Sequence, residues 1–185
     1  MIRSSRSIAC LAAAACLAAH LHAQVPAASE DEVKAAFLFN FAKYVTWPPK
    51  AFPDGKFRIC VTGEAAFTRK VDAIIDGETL DGRAVVRAAP PAIQDLGRTC
   101  NILFIGASES ARTAELLAAV RASPVLTVGE SDAFSARGGM VTFVKDGDRL
   151  RFDVNAAEAD RVGLSISSRL LRLARRVSSH GVPAQ

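Results

Sequence analysis

Few residues in this 185-residue chain are suited to chemistry, and their spacing tells more than their number. Cysteines stand at Cys10, Cys16, Cys60 and Cys100, and histidines at His20, His22 and His180. A Cys-x-x-Cys pair would point to thiol–disulfide exchange, and a Cys/His cluster to zinc; neither spacing occurs. The carboxylates are dispersed: Asp153 sits in an apolar run and Glu109 opens a helical one, without a partner base or metal-ligand spacing. Thr62-Gly63-Glu64 and Ile105-Gly106-Ala107-Ser108 could offer backbone N–H groups to an anion at a helix start. They lack the spaced glycines of a dinucleotide loop and a Gly-Lys-Ser/Thr ending, so they read as turns, as does Gly138-Gly139. No catalytic set, cofactor or metal is expected. A hydrolase working without histidine ranks last among the functional readings.

The N-terminus narrows the chemistry further. Arg3 and Arg6 precede a short apolar run at 8–19, and Ala23 is a small residue suited to cleavage, the pattern of a secretory signal peptide over 1–23. The run is too short to span a bilayer. A lipidated Cys16 is the lesser alternative, because no leucine stands three positions before it. Removing 23 of the 185 residues leaves 162, and the net charge falls from +4 to +2 as Arg3 and Arg6 leave. That modest charge does not call for nucleic acid as a partner. His20, His22, Cys10 and Cys16 would leave as well. Only His180 remains, so the side chain most used for acid–base work near neutral pH is nearly absent. Cys60 and Cys100 are then the sole pair, expected to bond in an oxidising compartment and to act as a staple rather than a switch.

The elements around these residues read as one α/β domain over 31–177, between a flexible stretch at 24–30 and a flexible tail at 178–185. Residues 32–48 gather Phe37, Leu38, Phe39, Phe41, Tyr44, Val45 and Trp47, with Ser29 and Glu32 spaced as a capping box and Pro48-Pro49 as a stop. The run predicts one helix, apolar on most sides, that must be covered. Strands are expected at 57–62, 84–88, 101–105 and 125–128, and helices at 65–75 and about 110–121, with Ser108 as the cap of the latter. Strand, helix and strand with short links imply parallel pairing by right-handed crossovers. Runs at 140–144 and 150–154 flank Lys145-Asp146-Gly147-Asp148, a hairpin signature. Residues 165–177 predict a closing helix whose Arg169, Arg172, Arg175 and Arg176 form a solvated face. The expected architecture is a mainly parallel central sheet with helices on both faces, a C-terminal β-hairpin and a closing helix.

These segments together resemble the YfiR-like family. The likeness runs through 34–48, 57–63 with Cys60, 100–105 followed by Ser108-Glu109, 125–129, Gly138-Gly139-Met140, 152–155, Gly163-Leu164, Ser167-Ser168, and Leu170, Leu171, Leu173 and Ala174. It implies a periplasmic regulator that binds the periplasmic portion of an inner-membrane diguanylate cyclase or another membrane sensor protein. Such a regulator is often a homodimer and holds cyclic-di-GMP output down, and an outer-membrane lipoprotein can sequester it. The family's inter-strand disulfide falls on Cys60 and Cys100, and a second pair found in some relatives has no counterpart here. Partner contact is expected at aromatics left exposed by the first helix and its exit, Phe39, Tyr44 and Trp47. The competing reading is a periplasmic small-ligand sensor with its pocket at the carboxyl ends of the parallel strands, near Gly63 and Gly106.

Overall fold

The computed structural model describes residues 28–89, 91–131 and 133–179. The leader expected at 1–23, the remaining histidine His180 and most of the tail lie outside the described residues. Helix α1 (Glu30–Tyr44) starts as its spacing predicts: the Ser29 hydroxyl accepts from the Glu32 N–H at 3.3 Å, and the Glu32 carboxylate accepts from the Ser29 N–H at 2.8 Å. Glu30, Asp31 and Glu32 place negative charge at the positive end of the helix, and Lys43 lies in the last turn. Ser29 is the cap that its spacing with Glu32 predicts, and the helix opens at Glu30, the last residue of the flexible stretch expected at 24–30.

The helix ends sooner than Pro48 requires. Val45 is extended (φ −117°, ψ 141°) and opens β1 (Val45–Thr46), which pairs antiparallel with β9 (Ser165–Ile166). The two β-branched residues of β1 suit a strand, and the distant β9 supplies the backbone partners that make it one. Expectation and structure therefore part at Tyr44, and the length of chain from Val45 to Trp47 is not helical.

Between them lie β2 (Phe57–Thr62), α2 (Ala65–Ile75), β3 (Thr79–Leu80), β4 (Arg83–Ala88), α3 (Leu96–Thr99), β5 (Ile102–Ile105), α4 (Thr113–Val120), β6 (Leu126–Gly129) and α5 (Ala133–Ala136). The chain continues through β7 (Val141–Asp146), β8 (Arg149–Asn155) and α6 (Ala156–Arg161), then beyond β9 to α7 (Ser168–Leu173) and β10 (Arg176–Ser178). The main sheet has the order β10-β8-β7-β6-β5-β2-β4-β3, antiparallel at β7/β8 and β3/β4 and parallel elsewhere. The expected α/β class, parallel sheet and hairpin are all present.

Strict alternation along the strands divides the interior in two. Ile59, Val61, Ile102, Phe104, Leu126 and Val128 face α1 and α2; Cys60, Leu103 and Ile105 face α3 and α4 with Leu116, Leu117 and Val120. This explains why β5 and β6 are buried at every position. On the first face Phe37 and Phe41 pack on Phe143 and Phe152, the closest rings being Phe41 and Phe152 at 5.1 Å, edge to face.

Three expectations change. The closing helix is short: α7 ends at Leu173, and Arg176–Ser178 instead lie alongside β8 as β10, so that Ser178 is strand and not tail. Ser108 does not cap α4; the segment Ala107–Arg112 is a 3₁₀ turn and α4 begins at Thr113. Helix α6 was not expected; the buried Asn155, directly after the run at 150–154 that reads as strand, caps it.

Candidate functional site

The two cysteines meet across the sheet. Cys60 in β2 and Cys100 just before β5 form a disulfide with Cα atoms 5.7 Å apart, both side chains buried. Burial beneath α3 and α4 keeps the bond from solvent, which suits a staple. It closes a loop with 40 positions between its ends.

The three aromatics expected at an exposed contact separate. Trp47 is 7% exposed; its ring stands perpendicular to Phe57 at 4.9 Å, and its indole N–H donates to the Asn101 carbonyl at 3.2 Å. Phe39 is 6% exposed, with the Lys43 ammonium 4.0 Å above its ring. Neither is displayed, which corrects the expectation for both. The premature end of α1 turns Trp47 inward, and the packing of α1 on α2 and the sheet covers Phe39. Tyr44 alone remains half-buried, with the Arg169 guanidinium 6.0 Å from its ring centre.

The exposed large apolar side chains among the described residues lie elsewhere: Leu173 at 57% and Val177 at 40%. Leu173 ends α7 and Val177 is the middle of β10, the outermost strand at that end of the sheet. Arg169 is one turn before Leu173 on the same side of α7, which places Leu173 on the side that carries the Arg169–Tyr44 contact. Of the four arginines, Arg175 donates to Asp153 at 2.9 and 2.6 Å, and Arg172 donates to Ser168 at 3.4 Å. Asp153, which stood out in the sequence, is thus an ion-pair partner. Glu109 likewise accepts from Arg112 at 3.1 Å. Periodicity hid this edge, because a continuous helix over 165–177 would place Val177 on the same buried side as Leu170.

At the carboxyl ends of the parallel strands the sequence direction reverses between β2 and β5, the place where open sheets of this type bind ligands. Here Gly63 and Gly106 touch one another. The Gly106 N–H donates to the Thr62 carbonyl at 3.1 Å, and a Cβ on Gly106 would lie 3.0 Å from that oxygen. Gly63 needs its glycine twice over, since φ is +114° and a Cβ would meet Ser108 and Gly106. Backbone contact leaves no space between Gly63 and Gly106 themselves, and the open volume at this end of the sheet, about 460 Å³, lies next to them, lined by Ala107, Glu130, Lys34 and Glu30.

Beside it a charge network holds the N-terminal turn of α1. The Lys34 ammonium lies 2.7 Å from Glu30 and 2.5 Å from Glu130, Lys145 lies 2.7 Å from Glu30, and Glu130 accepts from the Ala107 N–H at 3.0 Å. Burial works to lower the Lys34 pKa, but its bonds to Glu130 and Glu30 outweigh it and leave the pKa raised. Lys145 and then Lys34 hold Glu30 below the ordinary carboxylate value. Among the described residues no group of three or more His, Cys, Asp and Glu is placed to hold a metal, and no helix is long and apolar enough to cross a membrane.

A family model described as YfiR/HmsC-like matches residues 31–175. Among solved structures, a conserved domain protein from Vibrio cholerae O1 biovar El Tor is similar with a TM-score of 0.58 at 11% identity, covering 81% of this chain and 60% of that one. An ABC domain in complex with L-Trp from Streptococcus pneumoniae gives 0.55 at 14% identity, covering 77% of this chain and 60% of its own. This chain thus spans well under two thirds of either protein, and at such identity the likeness is one of fold.

Proposed function

Because the chain belongs to the YfiR/HmsC-like family, whose members are periplasmic regulators, we propose that it is an exported, non-catalytic repressor of a membrane signalling protein. The partner is the periplasmic portion of an inner-membrane protein, a diguanylate cyclase first among them, so that the output is cyclic di-GMP. An outer-membrane lipoprotein that competes for the same surface would relieve the repression.

The observation that carries the reading is that the two exposed large apolar side chains among the described residues are Leu173, at the end of α7, and Val177, in the edge strand β10 that follows it. Interfaces centre on apolar groups inside a polar rim, and Arg172 and Arg176 supply that rim. Strand β10 also leaves one row of backbone donors and acceptors unpaired among the described residues, onto which an extended segment can add. Tyr44 extends the contact toward α1. Repression follows if this surface binds the inactive state of the partner more tightly than the active one, since only a differential affinity shifts an equilibrium.

The test has two parts. Deleting the gene should raise cellular cyclic di-GMP, and the protein with Leu173 and Val177 both changed to Lys should fail to restore repression while melting like the unaltered protein. Binding of the purified partner domain should weaken at least about tenfold in that variant. Unchanged binding would remove this edge as the contact, and an unchanged cyclic di-GMP level after deletion would remove the cyclase.

A further inference from the structure

On the second face of the sheet, α3 and α4 cover β2, β5 and β6, and the short α5 packs on β7, leaving a gap between α4, α5 and α6. The gap is a cavity of about 610 Å³, within the size range of small-molecule sites. Its walls include Leu117, Val120 and Met140, and its floor is made by two polar side chains, Thr127 in β6 and Asn155 at the end of β8.

Both floor residues are nearly inaccessible, at 2% and 3% exposure, and each has a donor to spare. The Asn155 Oδ1 accepts from the Glu158 N–H at 3.4 Å, which sets the amide orientation and directs Nδ2 away from α6. That nitrogen has no acceptor among the described residues, yet it is not sealed off from the cavity that Asn155 lines. The Thr127 hydroxyl already accepts from the Met140 N–H at 3.1 Å, so its own proton is free to be donated. Water can reach the Asn155 nitrogen through the cavity, and a ligand acceptor placed there would take over that bond and receive the Thr127 proton as well.

The mouth of the cavity carries the matching charge. Arg161 donates to Glu158 at 2.9 and 2.6 Å and to the Arg121 carbonyl at 2.9 Å, which neutralises the one lining carboxylate. Arg121 and Arg137, also lining it and exposed, have no ion-pair partner among the described residues. Donors below, cations at the mouth and aliphatic walls between them define a complement to one kind of molecule. With Glu158 already occupied, no carboxylate is left to receive a ligand ammonium.

The geometry points to a binding site for a small organic monoanion, a carboxylate on an apolar body without an amino group, held by Asn155 and Thr127 under α4 and α6. The residues that line this site are not those of β10, and the assignment does not depend on the role given to that edge.

The full-length exported protein can be titrated with 3-phenylpropionate by calorimetry, with amide chemical shifts read at Gly138, Asn155 and Glu158. Saturable binding is expected, weaker by about tenfold or more for 3-phenylpropionamide, acetate, inorganic phosphate and phenylalanine. Asn155→Asp keeps the oxygen that caps α6 and replaces the free donor by a negative charge, and should weaken binding about tenfold or more. Should that variant not fold, the exposed pair Arg121→Ala with Arg137→Ala serves instead, with about threefold loss and a smaller salt dependence. No saturable binding up to about 10 mM, shifts confined to other residues, or equal affinity for acetate or phosphate would overturn the assignment. So would unchanged affinity in whichever of the two variants folds.

Discussion

The indole N–H of Trp47 donates to the main-chain carbonyl of Asn101 across 54 positions, at 3.2 Å and out of contact with water. The same Asn101 accepts the Arg58 N–H at 2.7 Å through Oδ1 and donates to the Ala51 carbonyl at 2.8 Å through Nδ2. One residue thus joins the exit of α1, the turn at Pro49–Ala51 and the start of β2. A tryptophan that looks like a contact residue in the sequence is a structural pin.

Replacing Asn101 by Ala should therefore cost about 1–3 kcal/mol, since both backbone groups lose their partner in a part-buried setting. Trp47→Ala should cost about 3–5 kcal/mol through the cavity it leaves beside Phe57. Urea denaturation measures both. A Trp47→Ala protein as stable as the original, with weakened partner binding, would return Trp47 to the interface.

The disulfide should contribute about 4 kcal/mol by restricting the unfolded chain, on the entropic model for a loop of this length. The double variant Cys60→Ala, Cys100→Ala should show that loss, and a reducing agent should lower the melting temperature of the unaltered protein but leave the variant where it is. Cyclic di-GMP repression that responds to reductant without any change in stability would make the bond a switch.

Acid should loosen the contact between α1 and α2. Glu32 is held at about 2, against an ordinary value of 4.5, first by the Lys70 ammonium at 2.8 Å and then by Ser29. A lowered carboxylate pKa stabilises the fold above the unfolded value and ceases to do so as pH falls through the folded one. The stability difference between the native protein and Glu32→Gln should be full near neutrality and close between pH 4.5 and about 2. A difference that stays constant over that window would mean that Lys70 and Ser29 do not read the charge.

Gly139 and Gly129 each lie against the buried ring of Phe134, where an added Cβ would collide with it. Gly139→Ala should displace that ring and destabilise by about 1–3 kcal/mol, whereas Ala at Gly55, which has open space but a φ of +74°, should cost only its backbone strain, about 1 kcal/mol. Thermal melts of the two variants give the comparison; a greater loss at Gly55 would place the demand in the turn and not in the packing.

Much of the framework was legible because its causes are local. The capping box of Ser29 and Glu32, the apolar run of β5, the Asp-Gly turn between β7 and β8 and the helix at Ala65–Ile75 follow from residue type and spacing within a few positions. The same holds for the resemblance that pointed to the family, which rests on segments in order. Asn155 as a cap and Gly139 as room for a ring carried no such signal, since each role belongs to a neighbour brought there by folding.

By itself, the sequence determined the α/β class, the parallel sheet and the pairing of Cys60 with Cys100. Tertiary structure decided which side chains reach the surface. Residues 165–177 have helical periodicity, but β10 satisfies its backbone on β8, and β1 does so on β9. Hydrogen bonds between distant strands outweigh a weak local preference, and they turn Trp47 inward and Leu173 and Val177 outward. Exposure is a property of the whole packed chain, so the surface available to a partner could be read only after the sheet had closed around its edges.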